Sequence, residues 1–396
     1  MLSRDGVFER AFVCPGICVD AFRHSTKVIG LDGCHVKTKY GGVLLVLTVL
    51  DGNKNIFPAA LALVESENTD TWCWFLALVT TAFHMEDGGR GIVALSDREK
   101  GIQTALQTHM PNAAHGFCVF HIQKNIITTF KTKLDGLLFK AAKATTSNGF
   151  DRTINEIKML NWRAGEYIEK IDKTKWARAH FPVRRYGQVT SNISESMNRM
   201  LEVRHKDPVN LFMSFVRKIN VTFDERRRLY AEMRPSDLPG KVAKMLAKSR
   251  EQGETLDVRP HTRTLFDVQM FNNRGSWRVV DLETMSCSCG FYDEHGVPCR
   301  HMCAAVLSIG GNPHDLVIPE RRFERLKALY VGVITPIDPN LLTDDELRPP
   351  VVTKRRVRPK ESRYKSAAEK RPKKIVRCAN CGARDHNTRT CPAPPN

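Results

Sequence analysis

Three carboxylates, Asp32, Asp97 and Glu195, stand where acidic side chains could hold a metal ion. Asp32 interrupts the apolar run VIGLDGCHVK at 28–37, which is typical of a strand buried on both faces. A buried carboxylate is costly unless it takes up a proton or meets a cation. Asp97 ends the short apolar run GIVALSD, and Glu195 lies in a predicted helix after Ser and Asn capping residues. Together, the three acids predict an oxygen-only site of the kind that Mg²⁺ or Mn²⁺ prefers.

The elements that must position these acids follow one another in a regular order. The sequence predicts three strands in hairpin order at 28–37, 43–50 and 56–64. A helix at 70–83, a strand at 91–97, a helix at 101–110 and a strand at 113–121 are predicted to follow. This is the order of an RNase H-like fold, an α/β architecture with helices on the faces of a mixed sheet. The first and fourth strands of that sheet are neighbours, which would place Asp32 beside Asp97.

Each acid taken alone also has an ordinary explanation. Asp97 could cap the helix that follows it, Glu195 could be a solvated surface residue, and Asp32 could lie at a strand edge beside a harmless partner. The joint placement of the three acids favours a catalytic site. Two divalent cations held there could activate an attacking oxygen and stabilise the leaving oxygen of a phosphodiester.

Two Cys/His groups near the C-terminus have the spacing of zinc sites. The first comprises Cys287, Cys289, Cys299 and His301, and the second comprises Cys378, Cys381, His386 and Cys391. In a chain without a signal peptide, such clusters favour Zn²⁺ over disulfides. The second group has the spacing of a CCHC zinc knuckle, a module whose candidate partner is single-stranded nucleic acid.

Positive charge is concentrated close to the C-terminus. The 396-residue chain has a formal net charge of +18, and residues 351–377 hold 12 Lys or Arg against two Glu. Such a tail is expected to be disordered and to contact phosphates or an import receptor, with a solubilising linker as the alternative. The candidate nucleic-acid contacts are Lys354, Arg355, Arg356, Arg358, Lys360, Lys370, Arg371, Lys373 and Lys374. We therefore expect a nuclear protein.

Four stretches of the sequence resemble the transposase domain of Mutator-like elements, the MULE family. They are IGLDGCHVKTKYGG, ALSDREKGIQTAL, CVFHIQKN and RYGQVTSNISESMN, in that order within about residues 20–225. The resemblance implies that Asp32, Asp97 and Glu195 form a DDE triad. It also implies that Cys118 and His121 support the site or the structure around it. The first zinc group resembles the SWIM zinc finger, which follows the catalytic domain in this family.

The predicted organisation follows from these assignments. We expect a lead-in at 1–27, followed by an RNase H-like domain at 28–225 with a helical insertion at about 122–180. After it we expect a helical linker at 226–262, a SWIM zinc finger at 263–310, a helical segment at 311–347, a basic disordered linker at 348–377 and a zinc knuckle at 378–391.

Two functions remain open at this point, ahead of a nuclease or an RNA-binding factor on the same fold, which is less favoured. The first is a DNA transposase that cleaves transposon ends and transfers strands to target DNA with two Mg²⁺ or Mn²⁺ ions, holds two Zn²⁺ ions, and self-associates. The second is a transposase-derived, non-catalytic DNA-binding regulator, as occurs in plants. Retention of all three acids favours the enzyme. The sequence begins almost at the catalytic core, without the N-terminal zinc-binding domain of many relatives, which favours the regulator. No membrane partner is expected.

Overall fold

The computed structural model describes residues 2–4, 7–36, 41–191, 208–234, 236–270 and 277–335, together with Cys378 and Cys381. The chain divides into two units, Met1–Val352 and Thr353–Asn396. Every helix and strand given below belongs to the first unit. Glu195, His386, Cys391 and the basic residues of the tail lie outside the described residues.

A mixed sheet of seven described strands organises the N-terminal half, in the order β1-β2-β5-β4-β3-β6-β7. Its strands are β1 Leu2–Arg4, β2 Val7–Val13, β3 Val28–His35, β4 Val43–Leu50, β5 Ile56–Val64, β6 Val93–Ser96 and β7 Ala114–Phe117. The strands β3, β4 and β5 pair in antiparallel fashion, whereas β6 runs parallel to both β3 and β7. The mixed sheet that the sequence predicted is confirmed, and β1 and β2 add two strands that were not predicted.

Helices cover the sheet: α1 Gly16–Arg23, α2 Thr69–Ala82 and α3 Lys100–His109. A capping box begins α2, because the Asn68 side chain accepts from the Thr71 backbone N–H and the Thr71 hydroxyl accepts from the Asn68 N–H. The Trp72 and Phe75 side chains of this helix are fully buried in the main core. Trp72 is thus mainly a core residue.

The strand predicted at 113–121 is too long. Phe117 ends β7, and helix α4 begins at Val119, with Cys118 as its N-cap residue. The apolar side chains of Val119, Ile122 and Ile126 share one buried helix face. This spacing favours a helix after Phe117, although the apolar run at 113–121 by itself favours a strand. Three more helices then form a separate core with α4: α5 Leu137–Lys143, α6 Ser147–Leu160 and α7 Trp162–Glu169.

A second sheet occupies the later part of the first unit. After α8 Pro208–Ala231 and α9 Gly240–Gly253, four antiparallel strands are followed by helices, namely β8 Leu256–Pro260, β9 Leu265–Met270, β10 Arg278–Asp281, β11 Ser286–Cys287, α10 Phe291–His295 and α11 Arg300–Ser308. Because β8 pairs with β9, this sheet begins before the boundary predicted at residue 263.

The chain then returns to the first sheet through α12 Phe323–Leu329. Just beyond α12, the rings of Phe57, Phe223 and Tyr330 pack edge to face, and the Tyr330 hydroxyl donates to Asp51 Oδ2 at 2.8 Å. These contacts tie the end of the described unit to the β4–β5 turn. Among the described residues, we find no helix with the length and apolarity needed to cross a membrane.

Candidate active site and candidate zinc centre

The parallel pairing of β3 with β6 determines where the first two acids lie. Gly30 is opposite Leu95 in this pairing, so two further residues in the same register bring Asp32 level with Asp97. Neighbouring strands are about 4.8 Å apart, which makes the two acids neighbours at one sheet edge. Asp32 is only 8 % exposed. The register therefore brings Asp32, which lies within β3, alongside Asp97, the residue that follows β6.

The residue that caps α3 is Glu99. Its carboxylate accepts from the backbone N–H of Ile102 at 3.1 Å, while Asp97 Oδ1 accepts from the Glu99 N–H at 3.0 Å. Asp97 thus shapes the turn between β6 and α3 and does not cap the helix. The alternative explanation of Asp97 as an ordinary helix cap does not describe this structure.

A fourth acid, Glu67, was missed by the sequence analysis. A Cβ atom built on Gly33 would lie 2.4 Å from Glu67 Oε1, so the Glu67 carboxylate rests against β3 directly after Asp32. The Trp72 indole N–H donates to the same oxygen at 3.3 Å. Burial, and then the charge of Asp97, raise the pKa of Glu67. No sequence signal identified this contact, because Gly33 and Glu67 meet only when α2 packs on the sheet.

Cys118 and His121 lie beside the two predicted acids. Cys118 Sγ accepts from the Ser191 backbone N–H at 3.2 Å, and the Asp32 charge adds to the burial that raises the pKa of the Cys118 thiol. Burial lowers the pKa of the His121 ring, and the Asp97 charge opposes that shift. The pair therefore fixes the start of α4 and the chain at Ser191 next to the carboxylates, a supporting arrangement.

A second histidine steadies the end of β6. The Ser96 hydroxyl donates to the Asp97 backbone oxygen and accepts from His115 Nε2, both at 2.8 Å. Burial lowers the pKa of His115 to about 4, so the ring is neutral near pH 7 and must donate through Nε2. This chain of hydrogen bonds holds the backbone that carries Asp97.

Among the described residues, Asp32, Glu67 and Asp97 do not bring their ligand atoms together as a metal-binding cluster. Within those residues, one set of three or more Cys, His, Asp or Glu side chains has converging ligand atoms, and it is Cys287, Cys289, Cys299 and His301. The third predicted acid, Glu195, lies outside the described residues. The structure therefore brings Asp32, Glu67 and Asp97 to one sheet edge and leaves the complete triad a prediction.

The four ligand atoms of the Cys/His group all lie within 4.8 Å of one another. Cys287 Sγ and Cys299 Sγ are each 3.8 Å from His301 Nδ1. A tetrahedral zinc ion with normal Zn–S and Zn–N bonds requires an S···N separation of about 3.6 Å. The three sulfurs and one imidazole nitrogen therefore fit Zn²⁺ in both chemistry and spacing.

Two elements of the second sheet region present these ligands. Cys287 ends the short strand β11, and Cys299 is the N-cap of α11, where its Sγ accepts from the Met302 N–H at 3.4 Å. Hydrogen bonds from the Cys287 and Cys299 thiols lower the pKa of Cys289 well below its ordinary value. The group thus favours a thiolate, which is the form that binds zinc. The nearby Cys303 thiol is buried and faces the Pro298 carbonyl oxygen, 3.9 Å away.

The second predicted zinc group is described only in part. Cys378 is buried and Cys381 is exposed, while His386 and Cys391 lie outside the described residues. The knuckle and the nine basic residues of the tail therefore stay predictions.

Comparison with known proteins agrees with these two regions. A family model described as the MULE transposase domain matches residues 28–125, and one described as the SWIM zinc finger matches residues 266–310. Protein FAR-RED IMPAIRED RESPONSE 1 of Arabidopsis thaliana is 23% identical in an alignment of 346 positions that covers 76% of this chain and 40% of that protein. The chain thus spans less than half the length of this relative. The resemblance drawn from the sequence is confirmed: the chain carries a MULE transposase domain followed by a SWIM zinc finger.

Proposed function

We propose that this chain is a metal-dependent DNA transposase of the Mutator-like superfamily that cleaves DNA ends and joins them to target DNA. The observation that carries the proposal is the parallel β3–β6 register. When this register is extended by two residues, Asp32 lies opposite Asp97 inside the matched MULE domain. The strand order β5-β4-β3-β6-β7, with three antiparallel strands and then two parallel ones, supports an RNase H-like fold. Glu195 is proposed as the third acid.

The carboxylates offer the hard oxygen ligands that Mg²⁺ and Mn²⁺ prefer. Such ions, when bound in pairs, supply activation of an attacking oxygen and stabilisation of the leaving oxygen. Asp32 and Asp97 would hold them, Glu67 would add negative charge at the same edge, and Trp72 orients Glu67 through its indole N–H. Cys118 holds the chain at Ser191 and so acts as a positioning residue.

The remaining parts of the chain are proposed to bind DNA. Zn²⁺ held by Cys287, Cys289, Cys299 and His301 would stabilise the SWIM finger, and a second Zn²⁺ would fold the knuckle. The basic tail would add phosphate contacts whose affinity falls steeply with salt, and would direct the protein to the nucleus. Double-stranded DNA and a second copy of the chain are the proposed partners.

One observation favours a second candidate function. The name of the matched relative refers to an impaired far-red response and not to transposition. This chain could likewise be a transposase-derived, non-catalytic regulator that binds DNA through its zinc-dependent modules. Such a protein would have no chemical need for Asp32 and Asp97.

The test is Mn²⁺-dependent nicking of plasmid DNA by the wild type, Asp97→Asn and Asp135→Asn. Asp135 is exposed, has a left-handed backbone conformation that Asn tolerates, and makes a matched control. Loss of a metal ligand removes several kcal/mol of transition-state stabilisation, so we expect Asp97→Asn to lower nicking by about 100-fold or more.

Equal nicking by all three proteins would contradict a role for Asp97 in catalysis. A different outcome is that none of the three proteins nicks DNA, while all three bind DNA equally and only when zinc is present. That outcome would favour the non-catalytic DNA-binding regulator.

A further inference from the structure

A cluster of cationic side chains lies where the β4–β5 turn meets helix α10. His295 is at its centre, because Lys54, Arg178, Arg184 and Arg321 all act on its ring. Burial, followed by these four cations, lowers the pKa of His295 to about 2, so the ring is neutral near pH 7. Burial and the charge of Arg321 likewise lower the pKa of Lys54 to about 8. Four cations and an imidazole therefore share one small, partly buried region.

Gly187 brings two of these groups face to face. A Cβ atom built on Gly187 would lie 2.7 Å from His295 Cε1 and 3.0 Å from Lys54 Nζ. The φ angle of Gly187 is +80°, a conformation that L side chains rarely adopt. The glycine thus leaves the space in which the Lys54 ammonium and the His295 ring approach each other.

Among the described residues, one of these four cations has a carboxylate within ion-pair distance. Glu294 Oε2 is 3.5 Å from Arg178 Nε, and this is the one carboxylate among the described residues that pairs with the four cations. Asp51, the other buried acid nearby, accepts from the Asn53 backbone N–H and from the Tyr330 hydroxyl. Burying like charges together is unfavourable unless an anion compensates them.

Two buried nitrogens in this cluster have no hydrogen-bond partner in the part of the chain that the structure describes, namely Arg321 Nη2 and His295 Nδ1. Arg321 is fully buried, and its Nε and Nη1 donate to the backbone oxygens of His295 and Gly52 at 3.0 and 2.8 Å. A buried donor left without an acceptor costs about 1–3 kcal/mol. Orphaned nitrogens within an excess of positive charge indicate an anionic ligand.

We propose that this cluster binds a phosphate group through Lys54, His295 and Arg321. A phosphate carries several acceptor oxygens and the negative charge that guanidinium and ammonium groups recognise. Lys54, His295 and Arg184 are half-buried and so partly meet solvent, whereas Arg321 is fully buried. The phosphate belongs either to a DNA backbone or to a free phosphate anion, and both present the same chemistry.

The zinc centre does not account for the cluster. The charge of Cys289 acts on Arg178, so a thiolate can balance that arginine. Asp51 and Glu294 act on Arg321, and Glu294 acts on Lys54, whereas no sulfur of the zinc group acts on either residue. An anion bound at Lys54 and Arg321 would therefore be separate from the zinc centre.

The first experiment titrates inorganic phosphate into the zinc-loaded full-length protein and follows thermal unfolding, with sodium chloride at matched ionic strength as the reference. The variants are Lys54→Gln and His295→Gln, and the matched control is Lys133→Gln at an exposed lysine. We expect phosphate to raise the unfolding temperature of the wild type and the control more than chloride does. Each cluster variant is expected to weaken phosphate binding about tenfold.

The second experiment measures binding of a short DNA duplex against salt concentration. If the phosphate is that of DNA, Lys54→Gln lowers the slope of log affinity against log salt by about one and Lys133→Gln does not. An unchanged slope with phosphate binding that still depends on Lys54 identifies a free phosphate as the ligand. Phosphate stabilisation no larger than that of chloride, or equal in Lys54→Gln and His295→Gln to the wild type, would overturn the proposal.

Discussion

The candidate zinc centre and the carboxylate edge assemble their ligands in opposite ways. All four zinc ligands lie between Cys287 and His301, at one strand end and one helix start, and their ligand atoms converge within 4.8 Å. The acids come from β3, from the chain ahead of α2 and from the end of β6, and among the described residues they do not converge in this way. A local site is built by its own short segment, whereas the carboxylate edge depends on strand register.

The largest expected effect concerns the zinc centre. Zinc binding to a structural site contributes free energy on the order of 10 kcal/mol that is coupled to folding, and the loss of one ligand removes part of it. We expect Cys299→Ser to lose the SWIM-bound zinc and to unfold the second sheet region, measured by metal content and hydrogen exchange. Cys303→Ser is the matched control, because this buried thiol lies on the same helix and is not among the ligands. Equal zinc content in both variants would contradict the assignment of Cys299.

A smaller effect is expected from acid at the other site. The pKa of His115 is lowered to about 4, so its neutral form is favoured in the folded state while the unfolded chain takes up a proton below about pH 6.5. Stability is therefore complete above pH 6.5 and falls as the pH drops toward 4, by up to about 3 kcal/mol for this group. Chemical denaturation across this range should show a shallower decline for His115→Gln than for the wild type.

The control for this pH dependence is His84→Asn, since His84 is exposed. A decline as steep in His115→Gln as in His84→Asn would show that His115 does not cause it. The carboxylate edge would then lack the acid sensitivity that distinguishes it from the zinc centre.

The smallest expected effect concerns Glu67, which can be tested both by displacing its carboxylate and by removing its charge. Ala at Gly33 needs no unusual backbone conformation, but its Cβ would displace the Glu67 carboxylate, which is the mobile end of a side chain. We expect Gly33→Ala and Glu67→Gln each to lower Mn²⁺-dependent nicking by about tenfold, or about 1.4 kcal/mol, with little change in unfolding temperature. Gly16→Ala, which meets no atom within 4 Å, is the control. Nicking unchanged in both variants would remove Glu67 from the site.

Much of this contrast was accessible from the sequence. The zinc group follows from spacing, because Cys and His residues a few positions apart must lie close in space. The hairpin strands followed from apolar runs broken by turn residues, and their order indicated that Asp32 and Asp97 are neighbours. The strand at 113–121 was overextended, because a short apolar run does not distinguish a strand from the buried face of α4.

Other features depend on tertiary packing and could not be predicted. Nothing in the sequence around Glu67 indicates that its carboxylate returns to Gly33, since that contact requires α2 to pack on the sheet. The cation cluster is similar, because Lys54, Gly187 and His295 are far apart in the chain and meet only in the fold. The distribution of Lys and Arg along the sequence indicated phosphate contacts in the C-terminal tail and gave no sign of this cluster.

The most direct test of the account is Mn²⁺ binding to the zinc-loaded full-length protein, read from the electron paramagnetic resonance signal of free Mn²⁺. This measurement does not require the correct DNA ends. We expect the wild type and Asp135→Asn to deplete the free Mn²⁺ signal, and Asp97→Asn to bind Mn²⁺ much more weakly. Absence of binding by the wild type, or equal binding by all three proteins, would contradict a metal site at the Asp32–Asp97 edge.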